Sequence, residues 1–348
     1  MRMQYLTLAN KIFLSNLTRL DFPYKLTYAI TYMCNYHCKT CNIWQRHPAN
    51  ELTLKEIQQF FQKSNKFSWI DLTGGEVFLR KDFLPIVEAI LASCKNLLLL
   101  HFPTNGYLTE IIVKDVEKII SWKPRKLIIS VSMDGDEKVN DDVRGIKGGW
   151  RKQIETYKQL HAMQGVKVVL GMTLSAYNVG QIETAFHAAK KECEWLKYED
   201  FHVNIAHVSG HYYGNEGQDP YQGHQKMLIE EIKKYIQHRG TAIDPIAYLE
   251  KKYLLQIERY LQSGRTPVRC HALKSSCFID PCGDVYPCGM YDYVVGNLKE
   301  SDYDLSRIWN SEKCRQLQNK IWEYQCPQCW TPCEAYQSIL GSLLRRHK

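Results

Sequence analysis

No stretch of this 348-residue chain approaches the roughly 18 consecutive apolar residues that suggest a membrane span. The longest apolar cluster, Leu97 to Leu100, is the size of a strand. The opening residues, MRMQYLTLANKIFLSNLTRL, lack a compact apolar stretch followed by a small-residue cleavage site. Neither a transmembrane segment nor a signal peptide is expected, and the chain reads as cytoplasmic. Strong charge of one sign is also missing, since the formal net charge is +8. That value suits an anionic substrate or an acidic partner and does not call for nucleic acid. With 45% hydrophobic residues, the chain can bury a large core as two domains or one large α/β domain.

Cysteine, by contrast, is abundant. Thirteen are present, and in a reducing compartment clustered thiols point to metal or redox chemistry rather than disulfides. Three lie at 34–41, four at 270–288 and three at 326–333, while Cys94, Cys193 and Cys314 stand apart and read as buried small hydrophobes.

The middle of the chain alternates strand and helix patterns. KLTYAIT (Lys25–Thr31) is followed by WIDLTG, LLLLHF, LIISVSM, VKVVLGM and FHVNIA as strand candidates. Thr53 and Glu56 form a T-x-x-E capping box, and behind it Leu54, Ile57, Phe60 and Phe61 share one helical face. Segments 82–93, 110–121 and 150–163 show similar spacing. Such alternation implies parallel βαβ units, here too few for a closed eight-stranded barrel. The expected fold class is α/β, a partial (β/α)6 TIM-like barrel with a small cysteine-rich C-terminal extension.

In barrels of this kind the chemistry sits where strands end. Cys34, Cys38 and Cys41, spaced C-x3-C-x2-C, follow the first strand. Gly74, Gly75 and Glu76 follow the second, and Asn105 the third. Ser132 and Asp134 close the fourth, and HVSGHYYG (His207–Gly214) follows the sixth. The polar and glycine-rich signals therefore gather at one rim. Three thiolates in one loop can hold three irons of a cubane and leave the fourth iron open. A structural zinc would want four closed ligands, and no fourth ligand follows at finger-like spacing.

The C-x3-C-x2-C triplet, GGE after the second strand and the order of strands together resemble the radical S-adenosylmethionine (radical SAM) superfamily. The resemblance implies that Cys34, Cys38 and Cys41 hold a [4Fe–4S] cluster whose open iron binds SAM. It implies reductive cleavage of SAM to a 5′-deoxyadenosyl radical, fed by a flavodoxin- or ferredoxin-type donor. It assigns the Gly74–Gly75 loop to the SAM ammonium, where glycine lets backbone approach a ligand, with Glu76 orienting the turn. Asn105, Ser132 and Asp134 can reach ribose hydroxyls or the methionine moiety, and Arg144 resembles a family arginine that pairs with the SAM carboxylate. Thr40 stands where the family often has an aromatic residue, and its backbone can still meet the adenine edge.

RCHALKSSCFIDPCGDVYPCG and CPQCWTPC resemble the SPASM or twitch extension of radical SAM enzymes, which binds one or two auxiliary clusters. No cysteine follows Cys333, which leaves the extension short of ligands for two full clusters. One auxiliary [4Fe–4S] cluster is expected. Cys270 and Cys288 are the surest ligands, partnered by Cys326, Cys329 or Cys333, with Cys277 as a further ligand and Cys282 a bystander. A second, incompletely ligated cluster and a zinc site are the alternatives. The expected division is an extension over 1–24, a barrel core over 25–215, a helical linker over 216–265 and the auxiliary domain over 266–348.

The substrate is open between a small molecule, a sugar, a lipid head group and a peptide, and the chemistry between oxidoreductase, maturase and epimerase types. Only 24 residues precede the first strand, which is short for the winged-helix peptide-recognition domain of peptide-modifying relatives. Gly289 stands after Cys288, where sulfatase-maturating relatives carry an aspartate base. His207, His211, Tyr212 and Tyr213 are the substrate-side candidates, because histidine moves protons near neutral pH. The stretch Leu6–Leu20 reads as an amphipathic helix that docks on its own barrel or touches a membrane surface. The second class of function is a non-catalytic iron–sulfur electron carrier or scaffold.

Overall fold

The computed structural model describes residues 2–46, 49–240 and 245–344; Met1, His47, Pro48, 241–244 and 345–348 lie outside the described residues. Helix α1 (Arg2–Leu17) precedes β1 (Lys25–Thr31), α2 (Leu54–Lys63), β2 (Trp69–Gly74), α3 (Phe83–Ser93), β3 (Leu99–Thr104) and α4 (Thr109–Ser121). Then come β4 (Leu127–Ser132), α5 (Glu137–Arg144), α6 (Gly149–His161), β5 (Lys167–Leu174), α7 (Ile182–Glu192) and β6 (Phe201–Ile205). The chain continues through α8 (Gln225–His238), α9 (Pro245–Ser263), β7 (Ser276–Ile279), β8 (Asp284–Tyr286) and β9 (Gly296–Asn297). It closes with α10 (Leu305–Trp309), α11 (Glu312–Trp322) and α12 (Pro332–Leu340).

Strands β1 to β6 are parallel neighbours in sequence order, as the alternation predicts. The capping box forms: Thr53 accepts from the Glu56 N–H while Glu56 accepts from the Thr53 N–H, which satisfies two otherwise orphaned donors. Ile57, Phe60 and Phe61 are buried by α2 against Tyr28 and Phe67.

One feature departs from the expected division. The sheet does not stop at β1. It runs β6-β5-β4-β3-β2-β1-β7-β8-β9, with β7 parallel to β1 and the β7–β8–β9 meander antiparallel. The cysteine-rich region therefore continues the barrel sheet.

Strand alternation explains what the barrel encloses. On β3, Leu100, Phe102 and Thr104 are buried while Leu99, His101 and Pro103 are half-buried. On β6, Phe201, Val203 and Ile205 are buried while His202 and Asn204 are half-buried. Ser130, Ser132, Gly171 and Thr173 continue the half-buried set on β4 and β5. The helix-facing sides are apolar and dry, and the lumen-facing sides are polar and accessible. A closed eight-stranded barrel fills its interior with side chains; this one leaves a polar lumen.

Lys25 anchors the floor of that lumen. Its buried Nζ lies 3.2 Å from Asp71 Oδ2, 4.5 Å above the Trp69 ring, and donates to Gln337 Oε1 and to the Cys333 carbonyl. One side chain thus joins β1, β2 and α12. Burial pushes the Asp71 carboxyl up, but Lys25 and hydrogen bonds from His101 and Trp69 outweigh it and hold the pKa at about 2. A depressed carboxyl contributes stability above its unfolded pKa and loses it as pH falls through about 2. Lys25→Met leaves Asp71 buried beside neutral partners, which costs about 3–5 kcal/mol. The urea midpoint of the apo chain is therefore expected to drop sharply. Adding Asp71→Asn to Lys25→Met recovers much of the loss. An unchanged midpoint for Lys25→Met alone would show that the pair is not the anchor.

Candidate active site

The cysteine loop starts where β1 ends, and it is positioned by backbone. Gly75 N–H donates to Thr31 O at 2.9 Å and Glu76 N–H to Met33 O at 2.7 Å. A Cβ on Gly74 would stand 2.1 Å from Thr31 O, and one on Gly75 1.9 Å from Met33 O. Gly74 also has φ +129°, which side-chain-bearing residues rarely adopt. The two glycines thus serve a close approach, as their sequence suggests, but the immediate neighbour is the chain leading into Cys34.

Glu76 carries the connection to the third strand. It is buried and accepts from Asn105 N–H at 2.6 Å, Thr104 Oγ1 at 3.0 Å and Phe78 N–H at 3.4 Å. Burial pushes its carboxyl up to about 7 against those hydrogen bonds. Asn105 turns its amide onto Asn35 Oδ1 at 2.7 Å, beside Cys34, and accepts from Tyr107 N–H. Its side chain is spent on holding the loop.

From the other side, α5 grips the loop. His37 N–H donates to Arg144 O and Lys39 N–H to Val143 O. The buried Arg144 Nη1 pairs with Asp134 Oδ2 at 2.7 Å, and the guanidinium lies 5.1 Å from the Tyr36 ring centre. Asp134 uses its other oxygen to accept from Thr173 N–H. Both carboxylate oxygens are thus engaged within the fold, so the aspartate that sequence patterning aims at a ribose acts here as a brace. Arg144 Nε is buried without a partner. Ser132 faces the lumen half-buried, and Thr40, also half-buried, gives its carbonyl to Asn215 Nδ2 at 3.0 Å.

Cys34, Cys38 and Cys41 are all half-buried. Burial pushes the Cys34 thiol up to about 11 and Cys41 to about 12, and it raises Cys38 against the opposing charge of Arg144. Thiols raised in this way ionise when a cationic centre takes up the charge. Three such thiols, with an unpartnered guanidinium nitrogen beside them, suit an iron–sulfur cluster and an anionic ligand.

The second cysteine group is more closed. Cys270, Cys288, Cys326 and Cys329 line one cavity with Thr266, Met290 and Tyr291. Four thiols are the complement a cubane takes. Cys277 does not line it; on β7 it turns toward Cys314, on the helix side. Cys333 also lies apart, its carbonyl bonded to Lys25 and its thiol exposed beside Asp71. Cys282 sits in the β7–β8 turn with its Sγ toward Ala49 O. Cys94, Cys193 and Cys314 are buried.

Residues 207–215 span the two groups. Ser209 Oγ donates to Gly289 O at 2.6 Å and His211 Nε2 lies 3.1 Å from Cys288 O. At the other end, Asn42 N–H donates to Tyr213 O at 2.7 Å, and Asn215 reaches Thr40. The Tyr212 hydroxyl meets Thr73 Oγ1 at 2.6 Å. Burial lowers His207 and His211 to about 4, so both are neutral at pH 7 and do not titrate where the sequence suggests. His211 stacks on Tyr286, and Tyr213 packs on Tyr212. Of the four, His211 and Tyr212 reach across by their side chains and Tyr213 by its carbonyl, while His207 packs beside Tyr260.

A lumen group had no sequence signal. His101 Nδ1 lies 3.2 Å from Asp71 Oδ1 and its Nε2 2.9 Å from Ser130 Oγ. The three residues come from adjacent strands, and only the strand register brings them together.

Comparison with known proteins agrees with this geometry. Residues 28–189 match the radical SAM superfamily and 270–330 match the iron–sulfur cluster-binding domain SPASM. The chain is similar to the mycofactocin maturase MftC of Mycobacterium tuberculosis, 24% identical over 93% of this chain and 79% of the relative. It is similar to the AdoMet-dependent heme synthase of Methanosarcina barkeri, 24% identical over 85% of each. A solved structure of anSMEcpe with bound AdoMet and a Kp18Cys peptide shares the fold at TM-score 0.61 and 16% identity, over 86% of this chain and 83% of that one. The chain belongs to the radical SAM superfamily and carries a C-terminal SPASM domain. Its cofactors are SAM, a SAM-binding [4Fe–4S] cluster and an auxiliary iron–sulfur cluster.

Gly75→Ala tests the backbone seam. The new Cβ collides with Met33 O, so the cysteine loop must move. The variant is expected to lose about four of about eight irons per chain, those of the first cluster. Iron and sulfide analysis checks this, and full iron content would show that the seam yields.

Proposed function

We propose that the chain is a radical maturase that abstracts hydrogen from a peptide side chain held in the polar lumen. The observation that carries this reading is the open lumen of His101, Ser130, Thr173 and Asn204 running beneath the cysteine loop. Similarity to a maturase over most of the chain supports the peptide as substrate class.

When bound, the first cluster and SAM supply a 5′-deoxyadenosyl radical. Cys34, Cys38 and Cys41 hold that cluster. Arg144 Nε, buried and unpartnered, is the donor for the SAM carboxylate. Gly74 and Gly75 keep the two strand ends close and so fix the entry to the cysteine loop, and Glu76 fixes the Asn105 turn. Cys270, Cys288, Cys326 and Cys329 hold the auxiliary cluster, with Cys277, Cys282 and Cys333 outside its ligand set. Four protein thiolates leave no position for substrate, which assigns that cluster to electron transfer. A pure electron carrier would have no use for the unpartnered guanidinium.

Anaerobic reconstitution with dithionite and SAM tests this. The wild type is expected to form 5′-deoxyadenosine, and Cys34→Ala/Cys38→Ala/Cys41→Ala to form none while keeping about half of about eight irons. Cys277→Ala and Cys333→Ala should keep full iron, whereas Cys326→Ala should not. Absence of 5′-deoxyadenosine from the wild type would favour the carrier. A mass change confined to a small metabolite, with none on any peptide encoded beside the enzyme, would overturn the peptide reading.

A further inference from the structure

The lumen chain of Asp71, His101 and Ser130 has a direction. Asp71 is buried and, with its pKa at about 2, an anion at working pH. A carboxylate only accepts hydrogen bonds. Its Oδ1 takes the Trp69 Nε1–H at 2.7 Å, and its Oδ2 lies 3.2 Å from Lys25 Nζ. The His101 nitrogen that faces it, Nδ1 at 3.2 Å, must therefore carry the ring proton. In the neutral ring the other nitrogen is then an acceptor. Nε2 stands 2.9 Å from Ser130 Oγ, so the serine hydroxyl donates to it. Among the described residues nothing donates to Ser130 Oγ in turn.

That open end faces the lumen. Ser130 is half-buried and the His101 side chain is 27% exposed, whereas Asp71 is 9% exposed. A brace serving the fold alone would close both ends of the chain; here one end is left for a ligand. The surroundings select its charge. Lys25 is spent on Asp71, and His202 lies beside Glu250. The Cys333 thiol beside Asp71 is pushed up to about 11 by burial and stays neutral. Ser132, Thr173 and Asn204 complete the half-buried set and carry no charge. A lysine or a carboxylate would find no free counter-charge there. A neutral group with an O–H fits, because it donates to the open lone pairs of Ser130 Oγ.

We propose that Ser130, His101 and Asp71 form the proton acceptor for a hydroxyl-bearing substrate side chain in the lumen. This rests on the proposed reading of the lumen as the place of the peptide. Loss of a hydrogen atom alone leaves the substrate a radical, and oxidation by two electrons also requires one electron and one proton to leave. The hydrogen atom departs to the 5′-deoxyadenosyl radical and the electron to the auxiliary cluster. The proton passes from the substrate O–H to Ser130 Oγ as Ser130 gives its own to His101 Nε2. A C–H and an O–H bond of the substrate break. The C–H bond of 5′-deoxyadenosine and the N–H bond of the imidazolium form, with a π bond between the substrate carbon and oxygen, directly or through a conjugated ring. Asp71 is the positioning residue: it fixes the ring and stabilises the imidazolium without taking the proton.

Neutron diffraction of the cluster-loaded chain at about pH 8, above the ordinary histidine range, locates the ring proton. Deuterium is expected on His101 Nδ1 and absent from Nε2. Turnover with dithionite, SAM and the peptide encoded beside the enzyme gives the second test, read as modified peptide per 5′-deoxyadenosine formed. His101→Gln, which can still donate to Asp71, is expected to lower that ratio by about a hundredfold. Ser130→Ala should lower it as well, and Ser130→Thr should restore it. A residue that merely shapes the lumen would lower both products together and leave the ratio as it was. Deuterium on Nε2 of the resting ring, or a wild-type ratio in His101→Gln, overturns the proposal and leaves the peptide reading standing. A wild type that forms 5′-deoxyadenosine and modifies no peptide overturns the peptide reading, and the proposal with it.

Discussion

The close approach of two strand ends controls the site. β1 and β2 run parallel and in register until Ala29 and Thr73, where the pairing shifts so that Thr31 faces Gly74. Beyond that shift the two exits stay locked by Gly75 on Thr31 and Glu76 on Met33, at a separation that excludes a Cβ. A loop bearing three thiols would otherwise pay a large conformational entropy to hold one arrangement. Here its entry is fixed by main chain, its far side by the carbonyls of Val143 and Arg144, and its middle by Asn105 on Asn35. Each restraint comes from a different strand-to-helix connection, so the loop is correct only when β1 to β4 have all formed.

The stretch 207–215 extends the same logic across the molecule. It bonds to the carbonyls of Cys288 and Gly289 at one end and to Thr40 and Asn42 at the other. A displacement of either cysteine group must strain those bonds, which gives the two groups a mechanical link as well as proximity. Tyr212 stands in the middle, its hydroxyl on Thr73 and its ring 3.4 Å from where a Cβ on Gly289 would be. Gly289, after Cys288, thus lies against the Tyr212 and Phe278 rings.

Much of this was legible in the sequence because the signals are local. Strand length, alternation, the T-x-x-E box and the cysteine spacing depend on residues a few positions apart, and they placed the six strands and the rim. The roles of individual side chains were less legible. Asn105, Asp134 and His211 look like ligand-facing groups in isolation, yet each is committed to a neighbour distant in sequence: Asn35, Thr173 and Cys288. The separation of Cys277 from the auxiliary cavity follows from strand phase. Ser276 and Cys277 are consecutive on β7, so one faces Glu334 in the lumen and the other faces the helices. No spacing rule for cysteines contains that information. The Asp71–His101–Ser130 chain was invisible for the same reason, since it exists only through register.

Register also explains why the cysteine-rich region cannot be a detachable appendage. An open parallel sheet would leave β1 as an exposed edge, with unpaired backbone groups beside the cysteine loop. β7 covers that edge in parallel pairing from Lys25 to Tyr28. The same union brings Cys333 and Gln337 of α12 onto Lys25, which offsets the burial of a charge in the lumen floor. A chain truncated before β7 would lose the edge pairing and two acceptors of Lys25 together, and the lumen would open to solvent on the side where the auxiliary thiols stand. The polar lumen and the auxiliary cavity are therefore two consequences of one sheet, and the distance between the two cysteine groups is set by the strands that lie between them.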